Sequence, residues 1–237
     1  MTGDIGGSED GLEVGRTGHL NPGGVAMAVE DVHTDGVRPV PHRTGLARAD
    51  GVVRVGLLGA LLCGVLTTVH EVWDDVLPGI QQGAGWSFLH TAWLAAMFVA
   101  ILGVTAVQRR GLDRFGRVGT RVALVGTGAQ TVMAAIEAVT LIGGTPSGVD
   151  PATPILVAIL AVVVLYVAGL ILFSVATIRA GVLPRSAGLV LLLAILLKIF
   201  ASDLVPGTLA FLGIAVAWLG VAAWRVHERG LAGTTRR

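Results

Sequence analysis

Seven polar residues stand in or beside the long apolar runs of this sequence: His70, Glu71, His90, Gln130, Glu137, Lys198 and Asp203. An ionisable side chain in hydrocarbon is costly unless it is paired or hydrated, so each is a candidate for function. Their types narrow the chemistry. Glu137 and Lys198, an acid and a base, could neutralise each other across a helix contact or exchange protons as coupled titrating groups. Imidazole and carboxylate, as in His70, Glu71, His90 and Glu137, are ligands for zinc or iron, and two histidines at one depth suffice for a haem. The spacing does not favour that chemistry: there is no HExxH, no HxxxH and no helix with paired histidines. Cys63 is the single cysteine, so an intrachain disulfide and a cysteine-based metal centre are both excluded. Ser174 and Ser202 lack a GxSxG context. Gly126-Thr-Gly128 lies inside an apolar run, where it reads as a packing feature and not as a phosphate loop.

At helical periodicity the polar residues fall into stripes. Trp86, His90, Trp93 and Met97 share one face at i, i+4, i+7 and i+11. Thr127, Gln130, Ala134 and Glu137 share another. His70 and Glu71 close the first apolar run, with Asp74 one turn further on. Counted from the ends of their runs, Glu137 and Lys198 both lie roughly 7–9 Å inside the same boundary. The expectation is a direct Glu137–Lys198 contact, in a polar cluster confined to one half of a helix bundle.

The elements that must position these groups follow from composition. Hydrophobic residues make up 53% of the 237-residue chain and charged residues 14%. Soluble domains carry roughly a quarter charged residues. A crossing helix needs about 20 apolar residues, and six runs meet or approach that length: 53–72, 87–107, 119–142, 154–178, 187–204 and 208–225. They lack the period-two alternation of barrel strands, so helices are expected. The fold class is therefore all-α, a polytopic bundle of six spans over 52–226. A disordered cytoplasmic tail precedes it (1–51) and a basic cytoplasmic tail follows (227–237).

Arginine sets the orientation. The 108–121 connection has Arg109, Arg110, Arg114, Arg117 and Arg121, and 179–186 has Arg179 and Arg185. The stretch before the first run and the C-terminal segment are also arginine-bearing, while the remaining connections carry acids and no Arg or Lys. Six spans put every basic segment on one side, which the positive-inside rule makes the cytoplasm. Lys198, the only lysine, is the one basic residue out of place. Residues 1–50 are polar and glycine-rich, with no basic-then-apolar leader at the extreme N-terminus. Met27 is an alternative start. His19, His33 and His42 lie in this tail at irregular spacing.

Two likenesses complete the reading. Asp75-Val-Leu-Pro-Gly79 is repeated as Asp203-Leu-Val-Pro-Gly207, and Ala92-Trp-Leu94 as Ala217-Trp-Leu219, a pattern that chance explains at least as well as duplication of a hairpin. The segments Trp86-Ser-Phe-Leu-His-Thr-Ala-Trp-Leu94, Arg110–Gly119, Ile178–Arg185 and Ala217–Trp224 resemble small actinobacterial multi-pass membrane proteins of unknown function. That resemblance covers about 52–225 and implies the fold class and no site residues.

Three functional readings follow. In the first, the polar cluster is structural and fixes helix register. In the second, it lines a cavity for a small solute or relays protons, with Glu137 and Lys198 titrating. In the third, His70 and His90 hold a metal or haem, or serve an intramembrane enzyme. The first leads, and neither a cofactor nor an enzyme is expected. The expected setting is a bacterial plasma membrane. The lipid bilayer is the expected partner, a second copy of the chain is an open one, and a net charge of +1 gives no basic field for nucleic acid.

Overall fold

A computed structural model describes residues 43–76, 83–142, 153–202 and 204–234. The expected tail over 1–42 and the site residue Asp203 lie outside them. Six helices follow one another: α1 (Arg43–Val76), α2 (Ala84–Gln108), α3 (Arg114–Ile142), α4 (Thr153–Ala180), α5 (Arg185–Phe200) and α6 (Thr208–Thr234). Each matches one apolar run. α1 and α6 extend past their runs, so residues 43–51 and 227–234 are helical. Five helices, all but α5, are long and apolar enough to cross a membrane. α5 has 16 residues, about 24 Å of helix.

Local chemistry ends the helices. Gly181 follows α4 at φ +63° and Gly207 precedes α6 at φ +84°, left-handed conformations that glycine adopts without a Cβ penalty. Pro184 is the N-cap residue of α5, where a missing N–H costs little. Asp113 precedes α3, and its carboxylate accepts from the Gly116 N–H at 2.6 Å, a side-chain N-cap. The same carboxylate meets Arg179, near the end of α4, at 3.3 Å, and the Arg179 guanidinium lies over the Phe115 ring. Near the start of α1, Asp50 contacts Arg54 at 3.0 Å and His227 of α6 at 2.9 Å.

Each helix packs on its neighbours in sequence, α6 closes the ring against α1, and α2 also touches α6. The ring therefore has an arginine-rich end, with connections 2–3 and 4–5, and an arginine-poor end. Small residues let certain backbones approach closely, a device common in membrane bundles. A Cβ on Gly56 of α1 would overlap Gly103 of α2, and one on Gly213 of α6 would overlap Thr67 of α1. A Cβ on Gly126 of α3 would stand 2.7 Å from the Tyr166 backbone of α4, and one on Gly188 of α5 would stand 3.1 Å from the Ser174 carbonyl of α4. These approaches join α1, α2 and α6 into one group and α3, α4 and α5 into another. Between the groups, Gly128 faces only the Phe98 ring, at 3.5 Å.

The exterior is apolar. On α4, Leu156, Val157, Leu160 and Val164 are exposed. Phe200, the last residue of α5, is 77% exposed and Leu204 just past it is 82% exposed, which continues the apolar surface beyond the helix.

Candidate functional site

All six helices converge on one cavity of about 340 Å³ near the arginine-poor end. Position along each helix explains the convergence. His70 and Glu71 belong to the last two turns of α1, Trp86 and His90 to the first two turns of α2, Lys198 to the last turn of α5, and Leu209 to the first turn of α6. Gln130 reaches the cavity from the middle of α3, and Tyr166 from the middle of α4. Five of the seven sequence-derived candidates thus share one space: His70, Glu71, His90, Gln130 and Lys198.

One wall is a cluster of rings. The His70 and Trp86 centroids are 4.8 Å apart, and Trp86 stacks on His90 at 5.2 Å with 28° between planes. Trp93 meets His90 edge-on at 5.2 Å. The periodicity of α2 sets three of these four rings on one face. His70 completes the wall from α1, 5.5 Å from His90. Ring pairs at these separations add attraction beyond their buried area.

Glu71 is committed elsewhere. Its Oε1 accepts from the Gly207 N–H at 2.8 Å, and its Oε2 accepts from the N–H groups of Leu209 (2.9 Å) and Ala210 (3.2 Å). Those donors open α6 and have no partner within their own helix. A carboxylate there also meets the positive end of the helix dipole. Glu71 lines the cavity, but both its oxygens are engaged in holding α1 to α6.

Glu137 does not enter the cavity. It lies on an exposed face of α3 and makes no ion pair with Lys198, so the expected contact is corrected. Two physical reasons account for this. The ring order sets α4 between α3 and α5. Moreover, α3 has 29 residues against the 16 of α5, so equal counts from helix ends are not equal heights. Glu137 is two turns beyond Gln130, roughly 10 Å further along the axis.

Two cavity groups have unmet hydrogen-bonding capacity. Trp93 is 4% exposed and its Nε1–H donates to nothing, and the Gln130 Oε1 is buried and accepts from nothing. Trp93 and Trp86 were legible in the α2 stripe as ring positions. Tyr166 was missed, although the one tyrosine of the chain set in the middle of an apolar run was the available signal.

Below the rings the bundle closes. Met97, Ile101, Leu170, Phe173, Leu191 and Leu219 meet around a void of about 10 Å³, too small for a solute. Among the described residues no group of three His, Cys, Asp or Glu side chains is placed to hold a metal ion. No family model, curated protein or solved structure matches the chain. The site is therefore read from its own chemistry.

Proposed function

We propose that this chain is a six-span protein of a bacterial plasma membrane with both termini in the cytoplasm. We further propose that its cavity is the outward-facing binding site of a carrier for a small solute. One observation carries the binding reading: polar side chains from α1 to α5 converge, with two leucines of α6, on a space they do not fill. A cluster that only fixed register would spend its hydrogen-bonding groups on one another. Here Trp93 Nε1 and Gln130 Oε1 are buried and unspent, and burying such groups costs about 1–3 kcal/mol each unless a partner arrives. The size is also apt, at the small end of ligand pockets. Glu71 is the exception, a residue whose hydrogen bonds support the structural reading for itself alone.

Two further observations favour a carrier. The cavity is closed toward the arginine-rich end by a packed apolar layer. Its lining also divides between the two glycine-joined groups, with His70, His90 and Trp93 on one and Gln130, Tyr166 and Lys198 on the other. A site between two bodies is what alternating access requires. The sixth span is supported by the exposed Leu204 and Val205 just past α5, whose apolar surface adds to the length that α5 lacks. An even number of spans then keeps every arginine-bearing segment on one side.

The test is accessibility. In a Cys63→Ala background, Val167→Cys lies in the cavity wall and Leu219→Cys in the packed layer. A small, membrane-impermeant methanethiosulfonate added outside intact cells is expected to label the first and spare the second. No labelling of Val167→Cys from outside, with labelling after permeabilisation, would reverse the orientation. No labelling under either condition would sink the binding reading.

A further inference from the structure

Lys198 is the only lysine of the chain, it lines the cavity, and none of the ion pairs among the described residues includes it. The nearest sequence-derived explanation for its presence, Glu137, is not in the cavity. Glu71 is, but its charge is met by three backbone N–H groups of α6. The last-turn position of Lys198 suits the negative end of the α5 dipole, yet that alone does not direct the side chain into a cavity. The other unspent donor is the buried indole N–H of Trp93, which can only donate. A cation and a donor facing one space call for an anion.

The rest of the lining sets the shape of the ligand. Trp86, His90 and Trp93 form a wall of rings, Tyr166 contributes a further ring, and Leu94 and Leu212 are apolar and buried. Such a wall favours a flat, polarisable body over a flexible chain. The volume holds roughly ten water-sized groups, which admits one ring and a charged group. Aromatic walls also attract cations, but the Lys198 ammonium opposes a cationic ligand in so small a space.

We propose that the cavity binds a small monoanion with a flat apolar body, of the aromatic carboxylate class. Its carboxylate is held by the Lys198 ammonium, its ring lies against the rings of α2, and the Trp93 N–H and Gln130 carbonyl meet further polar groups of the ligand. This rests on the binding reading above and goes beyond it by fixing charge and shape.

The experiment uses the full chain in lipid nanodiscs and four probes: benzoate, octanoate, benzyl alcohol and benzylamine. Binding is read by tryptophan fluorescence and by calorimetry. Benzoate is expected to bind about tenfold or more tightly than benzyl alcohol or benzylamine, the difference a charge-assisted hydrogen bond makes, and more tightly than octanoate, which keeps the carboxylate but lacks the flat ring. Lys198→Met is expected to reduce benzoate to the level of benzyl alcohol, while Lys198→Arg keeps most of the preference. Benzyl alcohol or benzylamine binding as well as benzoate would overturn the anionic class. Octanoate binding as well would overturn the flat body, and would identify a fatty-acid carboxylate as the source. Silence from all four would overturn the proposal, and Val167→Cys labelling would then decide whether the binding reading falls with it. Should Lys198→Met fail to fold, the wild-type ranking and Lys198→Arg still decide.

Discussion

Trp93 is where a single residue separates stability from binding. Its ring packs at 4% exposure against His90, while its N–H donates to nothing. Trp93→Phe keeps an aromatic ring, removes the unspent donor and leaves a void of about three heavy atoms. The melting temperature is therefore expected to fall only slightly, since the cost of the void is offset in part by loss of an unsatisfied buried donor. Affinity for any ligand that accepts this hydrogen bond is expected to fall several-fold. Thermal unfolding and calorimetry on the same variant check both halves, and a large loss of stability with unchanged binding would mark the N–H as structural. The stripe of Trp86, His90 and Trp93 was legible because helical period alone places it. Tyr166 was not, because a lone phenol in an apolar run gives no partner to count from. Glu137 was misplaced because sequence gives distance from a helix end, whereas contact depends on which helices adjoin and at what height.

At the scale of elements, the apolar runs were readable because a membrane-length run has few alternatives to helix. The joints between helices were less so. Asp113 capping α3 is local, three residues from the N–H it meets. Glu71 capping α6 is not: its donors lie 136 to 139 residues away. No sequence pattern links a glutamate ending one helix to the amides opening another. The two caps are expected to behave differently when removed. Glu71→Ala strands three N–H groups and loosens α1 from α6, which is expected to cost about 2 kcal/mol or more. Glu71→Gln keeps one acceptor oxygen and is expected to cost about half as much. At the other end, Asp113→Ala is expected to cost about 1 kcal/mol through the lost cap. Arg179→Ala is expected to cost little, because its pair with Asp113 is well exposed and screened. Denaturation of the four variants in one detergent gives the order directly, and a loss for Arg179→Ala equal to that for Asp113→Ala would show the pair to matter more than the cap.

For the whole molecule, the distribution of close backbone contacts carries more information than their number. Gly56, Gly103 and Gly213 join α1, α2 and α6, and Gly126 and Gly188 join α3, α4 and α5, while Gly128 at the seam meets only the Phe98 ring. Side chains can repack as two bodies rock, whereas backbones in contact cannot slide without a vacancy. Gly126→Leu is thus expected to force α3 from α4 and to destabilise by about 1–3 kcal/mol or more. Motion is tested with spin labels at exposed sites near the arginine-poor half. Val132 and Leu160 report within one group, Val65 and Ile214 within the other, and Val65 with Val132 across the seam. On adding a ligand that binds, the distance across the seam is expected to shift or narrow while the two internal distances stay fixed. Because the cavity lining is divided between the groups, a ligand touching both stabilises the arrangement that brings them together, and only its differential affinity can move the equilibrium. Equal shifts in all three pairs would refute two rigid groups, and no shift in any pair would leave a binding protein whose bundle does not rock with its ligand.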